Sequence, residues 1–149
     1  MYAKFAQGLV KYLKARLPGT AIRPSATPPN DLPPYVSYER TDYQPVRQHD
    51  EQDGKRGHTG NYRVTVELVV WDTDTVRRDQ VVDKIVGTTG DPGLVGWREW
   101  FPAADDPDRL AVQSCELADQ PFDGMELPND GSETRWYSTT ITLGFYYAE

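Results

Sequence analysis

Apolar residues recur at three- and four-residue steps at the start of the chain, at Tyr2, Phe5, Leu9, Tyr12, Leu13 and Leu17, while Lys4, Lys11 and Lys14 mostly take other faces. That spacing predicts an amphipathic helix, which Pro18-Gly19 stops. Ala21 to Arg23 is a candidate short strand. Pro24, Pro28, Pro29, Pro33 and Pro34 then remove donors and fix φ, so an extended connector is expected. From Tyr35 to Val46 the period changes to two, with Val36 and Tyr38 alternating with polar residues, and a strand is predicted. Arg47 to Gly60 (RQHDEQDGKRGHTG) has no large apolar residue and three glycines. It reads as a long exposed hairpin loop that becomes ordered only on assembly.

Tyr62, Val64, Val66, Leu68 and Val70 form one side of the clearest alternation in the chain, opposite Arg63, Thr65 and Glu67. A second helix is expected to follow, capped by Asp72, Thr73 or Asp74 and running to about Val86, with Val76, Val82, Ile85 and Val86 available to pack. Gly87 to Gly90 ends it. Leu94, Trp97, Trp100 and Phe101 have helical spacing, but Gly93, Gly96 and Pro102 leave room for only a turn or two, a short apolar insertion. Ala111 to Leu117 and Arg135 to Tyr147 read as two more strands, separated by a polar loop from Asp119 to Thr134. Val64, Val66, Leu68, Ile141, Leu143 and Phe145 are the expected core beneath the first helix. The element order predicts one α+β domain over residues 1–149. Its largely antiparallel sheet has four or five strands, with the N-terminal helix and the second helix packed on one face.

Composition narrows the function classes. The 149 residues carry 16 Lys and Arg against 23 Asp and Glu, a formal charge of −7, which argues against a protein built to grip phosphate backbones. Sequence-specific nucleic-acid binding is not expected. The charge is uneven: residues 1–63 hold 10 basic and 6 acidic side chains, and residues 64–149 hold 6 and 17. If the halves occupy different surfaces, copies attract head to tail. Cys115 is the only cysteine, so no intrachain disulfide forms. Nothing approaches the ~20 apolar residues of a membrane span, and Met1 to Leu17 lacks a signal peptide's unbroken apolar stretch, so a soluble chain in a reducing cytoplasm is expected.

The candidate chemistry is thin. His49 and His58, with Asp50, Glu51 and Asp53 nearby, lack the fixed spacing of metal ligands and read as solvated loop residues. The GTTGDPG run lacks the Gly-Lys-Ser/Thr of a phosphate cradle and ends a helix instead of opening one. Asp105, Asp106 and Asp108 form an acidic turn with no visible desolvation or charged partner. Ser138 and Cys115 fall on strands, away from either histidine. Trp97, Trp100 and Phe101 fill a core or make a subunit contact. No catalytic, cofactor or metal site is expected.

Four stretches taken together resemble a known family: a helix ending LKARLPGT, then LPPYVSY, then NYRVTVELVVWDTD leading into a helix, and a closing STTITLGFYYAE strand. In that order they look like the tail terminator and tail-completion proteins of long-tailed bacteriophages, over most of residues 2–147. The resemblance implies a homohexameric ring in the virion tail or neck, assembled in the host cytoplasm. That ring would cap the major tail-tube protein, stop its polymerisation and join the tail to the head-proximal connector or neck protein. It implies geometry in place of turnover, since heterologous contacts close a ring when the rotation per subunit is right. Arg40, Arg47, Lys55 and Arg56 are then candidate contacts to a neighbour's Asp105, Asp106 and Asp108, with Trp97, Trp100 and Phe101 as apolar candidates. A neck or head-completion protein one ring nearer the capsid is the alternative within the same class. A small ligand-binding or enzymatic α+β domain is the alternative outside it.

Overall fold

The computed structural model describes residues 2–25, 32–49, 56–127 and 134–148. It is an α+β fold in which one large mixed sheet carries two helices on one face. The first helix, α1 (Tyr2–Arg16), buries Phe5, Gly8, Leu9 and Leu13 along its predicted stripe. It ends where Gly19 takes φ 84°, a left-handed value that glycine adopts without steric cost. The strands are β1 (Ala21–Pro24), β2 (Tyr35–His49), β3 (Arg56–Asp72), β4 (Gly87–Thr88), β5 (Asp91–Pro92), β6 (Trp100–Phe101), β7 (Leu110–Leu117), β8 (Phe122–Glu126) and β9 (Trp136–Ala148), with α2 (Thr75–Val86) between β3 and β4.

The main sheet runs β1-β2-β3-β9-β7-β6, and β8 also pairs with β9. Only β1 on β2 is parallel. One edge of β9 is filled by β3. Along the other, Ala111–Leu117 of β7 faces Leu143–Ala148, and Phe122–Glu126 of β8 faces Trp136–Thr140. β7 and β8 are therefore two lengths of one edge, interrupted between Leu117 and Phe122. The seven strands include the candidate at Ala21 to Arg23 as β1, and exceed the four or five expected because β6 and β8 are too short, and lie in segments too rich in proline, glycine or charge, to show a period. β8 lies inside the stretch read as a polar loop from Asp119 to Thr134.

The predicted core is as expected: Val64, Val66, Leu68, Ile141, Leu143 and Phe145 are all buried beneath the helices, joined by Val36, Val70, Leu110, Val112, Cys115 and Tyr147. Phe5 anchors α1 on them, its ring stacked on Tyr147 at 5.0 Å and edge-on to Phe145 at 4.8 Å between centroids.

Three local expectations are corrected. The loop from Arg47 to Gly60 is mostly strand: β2 continues to His49 and β3 begins at Arg56, with His49 opposite Arg56 and Arg47 opposite His58. Backbone pairing of a ribbon needs no apolar side chain, so composition hid it. Residues 50–55 lie outside the described residues. Among the described residues β9 pairs with β3 as far as Asn61, and from Gly60 back to Arg56 β3 pairs with β2 alone, over roughly 15 Å. Second, Val76 is exposed, whereas Arg78 and Ile85 are buried and Val81, Val82 and Val86 half-buried. Asp74 is the N-cap, accepting from the amides of Val76 and Arg77 at 2.8 and 3.2 Å, and this start turns Val76 away from the sheet. Third, Gly93 to Phe101 forms no helix. Gly96 donates to the Cys115 carbonyl at 2.8 Å and the Val112 amide donates to Glu99 at 3.3 Å, laying the segment along the outer edge of β7.

Candidate assembly surfaces

Of the charged candidates, Arg40 and Asp106 are engaged inside the subunit. Arg40 places its guanidinium carbon 4.7 Å from the Tyr2 ring centroid and 5.6 Å from that of Tyr43, which holds it over the entry to α1. Lys55 lies outside the described residues, as do the side chains of Arg47, Arg56, His49 and His58. Asp106 accepts the Asp108 amide at 2.8 Å and the Lys11 ammonium at 3.1 Å. The Asp108 amide first, and Lys11 second, hold its carboxyl below the usual range. This turn is fastened to α1, and only Asp105 and Asp108 present free carboxylates to solvent.

The aromatic insertion divides. Phe101 is 1% exposed and lies within 5.9 Å, centroid to centroid, of Phe5, Tyr12, Trp97 and Phe145, so it is core and not a surface contact. Gly8 makes this possible: a Cβ there would meet the Phe101 ring and Pro102 at 3.4 Å. Trp97 is half-buried against Tyr12 and donates its indole N–H to the Glu99 carbonyl at 3.1 Å. Trp100 is 45% exposed, with the Arg109 guanidinium 4.7 Å from its centroid. It is the one member of the trio whose ring is open to a partner.

Two surfaces escaped the sequence reading. The face of the sheet away from the helices has no second layer among the described residues. It carries the rings of Tyr35, Trp71 and Trp136 at one end, and at the other a groove of about 460 Å³ lined by Arg63, Thr65, Ser114, Glu116, Gly144 and Tyr146. The β8 edge is the second. Of the eight large exposed apolar side chains among the described residues, Leu117, Phe122, Met125 and Leu127 fall within eleven residues there, at 38, 60, 51 and 59% exposure. Glu116, Asp119, Asp123 and Glu126 alternate with them. Asp123 ties this edge to α2: it accepts from the Thr139 hydroxyl at 2.7 Å and sits 3.5 Å from the buried Arg78 guanidinium, which also meets Asp79 at 3.0 Å.

The other polar clusters are structural. A cleft of about 320 Å³ between the end of α1 and α2 is lined by Leu17, Thr20, Asp72, Arg77, Gln80 and Lys84. Its one buried carboxylate, Asp72, is fully used: it accepts the Asp74 amide at 3.0 Å and the Arg77 guanidinium at 2.6 and 2.8 Å. Burial disfavours the ionised form, but these hydrogen bonds and the Arg77 charge outweigh it and hold the carboxyl below its usual range. Burial pushes the Cys115 thiol up to about 12, so thiolate is negligible near neutrality. Ser138 is buried on β9. The GTTGDPG run is a helix stop folded into the β4–β5 hairpin, with the Leu94 amide donating back to Ile85 at 2.8 Å. No group of three His, Cys, Asp or Glu suited to a metal ion occurs among the described residues, and no helix there is long and apolar enough to cross a membrane. Neither a protein-family model nor a curated protein matches the chain.

Proposed function

We propose that this chain is a structural virion subunit that assembles into a homohexameric ring, caps the tail-tube protein of a long-tailed phage and joins the tail to the head-proximal connector. The observation that carries the reading is the asymmetry of the sheet. At one end β2 and β3 pair with each other alone among the described residues, and the other end carries the apolar, acidic β8 edge. Two unlike surfaces at opposite ends of a subunit suit heterologous contacts, which close into a ring or grow without limit according to the rotation they impose. The uncovered sheet face leaves a further broad surface for stacking on another ring. Its apolar rings are interspersed with polar groups, as in interfaces that also exist free in solution.

The test is the mass of the purified protein, alone and mixed with the tail-tube protein of the same phage, followed by cryo-electron microscopy of assembled tails. A ring of six at the head-proximal end of the tube is expected. A single copy bound at one site, or a substrate turned over by the purified protein, would overturn the reading.

A further inference from the structure

Resting on that ring reading, we infer that the interface between ring neighbours is formed by the β8 edge of one copy and the outer face of α1 of the next. The β8 edge carries no cation of its own. Residues 116–127 contain Glu116, Asp119, Asp123 and Glu126 and no Lys or Arg. Of the nearby cations, Arg78 is occupied by Asp79 and Asp123, and Arg135 makes no ion pair among the described residues. All five β8 residues are exposed, and Phe122, Met125 and Leu127 present apolar surface between the carboxylates. An edge of this kind is a docking surface for whatever complements both its charge and its greasy side chains.

The complement is on the same chain. Residues 2–25 hold five basic side chains and no Asp or Glu. On α1, Lys4, Gln7, Lys11 and Lys14 follow one another at three- and four-residue steps, so they form a single stripe about 15 Å long. Lys4 and Lys14 make no ion pair among the described residues, while Lys11 is held by Asp106. Ala3 and Ala15 flank the stripe and are exposed and short, leaving a shallow surface against which Phe122 lies beside lysine stems. The acidic rim from Asp119 to Glu126 spans on the order of 20 Å, a length that matches the stripe. A contact of unlike patches on one chain is heterologous, as ring closure requires.

The test is a charge swap, read by sedimentation velocity across protein concentration at low salt, with thermal unfolding to verify each fold. Lys4→Glu with Lys14→Glu, and separately Asp119→Lys with Glu126→Lys, should each raise the half-assembly concentration about tenfold, since each leaves like charges facing. The four substitutions in one chain should restore assembly to within about threefold of the parent. Mixing the two defective proteins should also restore it, because one then supplies acidic helices and the other basic edges. Assembly of the parent should weaken as salt rises. If the parent forms its ring and neither reversal changes it, or the swapped chain is no better than its halves, this interface is wrong while the ring stands. A parent that stays monomeric even with tail-tube protein would overturn both.

Discussion

Replacing Leu68 by Ala tests the strand register on which every surface assignment depends. Leu68 has no exposed area and sits in β3 between Tyr38 of β2 and Ile141 of β9, under the helices. Its removal leaves a cavity bounded by two strands that close poorly, because each is held to β3 by ladder bonds along its length. A Leu-to-Ala change at such a site costs about 2–5 kcal/mol. At roughly 2–4 °C per kcal/mol for a domain near this size, the midpoint should fall by about 4–20 °C. Glu67, the next residue, points to the uncovered face, and Glu67→Ala should move the midpoint by no more than about 1–2 °C. Circular-dichroism melts of the two variants under identical conditions give the comparison. Because the side-chain period is two, a slip of one residue exchanges the two results. A Leu68→Ala protein that melts with the parent would refute the register, and with it the placement of the open face.

Asp72→Asn should destabilise the fold by about 1–3 kcal/mol at neutral pH, since the Arg77 guanidinium and the Asp74 amide lose a charged acceptor. The folded-state pKa is depressed, so the stabilisation is present above pH ~4 and is lost as pH falls through the folded value. Urea titrations at pH 7 and pH 3 should show the gap between variant and parent closing at the lower pH. Gly93→Ala places a Cβ 2.6 Å from the Ile85 carbonyl and the Gly87 amide, both backbone, whereas Gly90→Ala meets nothing within 4 Å. The first should lower the thermal midpoint by several degrees and the second by almost none; equal effects would contradict the closeness of the α2–β5 turn. Asp123→Ala removes the tie between β8 and α2. It should speed amide exchange in Phe122–Glu126 while leaving exchange in β3 unchanged, and equal acceleration in both strands would mean β8 is not a separately opening unit.

The core was legible in the sequence because long elements impose their period on many residues: the stripe of α1 and the alternation in β3 and β9 each repeat at least five times. Phase within a short helix was less secure. Asp72, Thr73 and Asp74 all suit an N-cap, and the choice of Asp74 is what turns Val76 outward and Arg78 inward. Strands of two to five residues left no periodic trace, so β6 and β8 came to light only through their pairing with β7 and β9. Charge gave the least local information. The split between the halves of the chain is real, but part of it is consumed within the subunit by Lys11 with Asp106 and Arg16 with Asp91. That left β8, with its surplus of carboxylates, as the acidic surface, where the sequence alone pointed to the turn at Asp105 to Asp108.

The two halves of the β9-paired edge show why β8 stands apart. Along β7 the outer backbone is covered: β6 pairs at Leu110 and Ala111, and the segment from Gly96 to Glu99 bonds to Cys115 and Val112. Along β8 no strand or loop covers the outer side among the described residues. An uncovered edge with exposed Phe122 and Met125 invites indiscriminate strand pairing, and proteins usually discourage this with lysine, proline or a bulge. Here carboxylates are interspersed with the apolar side chains. They repel a second β8 edge as effectively as lysines would, so like edges do not pair. Unlike lysines, they leave the edge open to a basic surface, and the N-terminal helix of this chain is the basic surface the fold supplies. In the proposed ring the same side chains would both oppose pairing of like edges and select the neighbour.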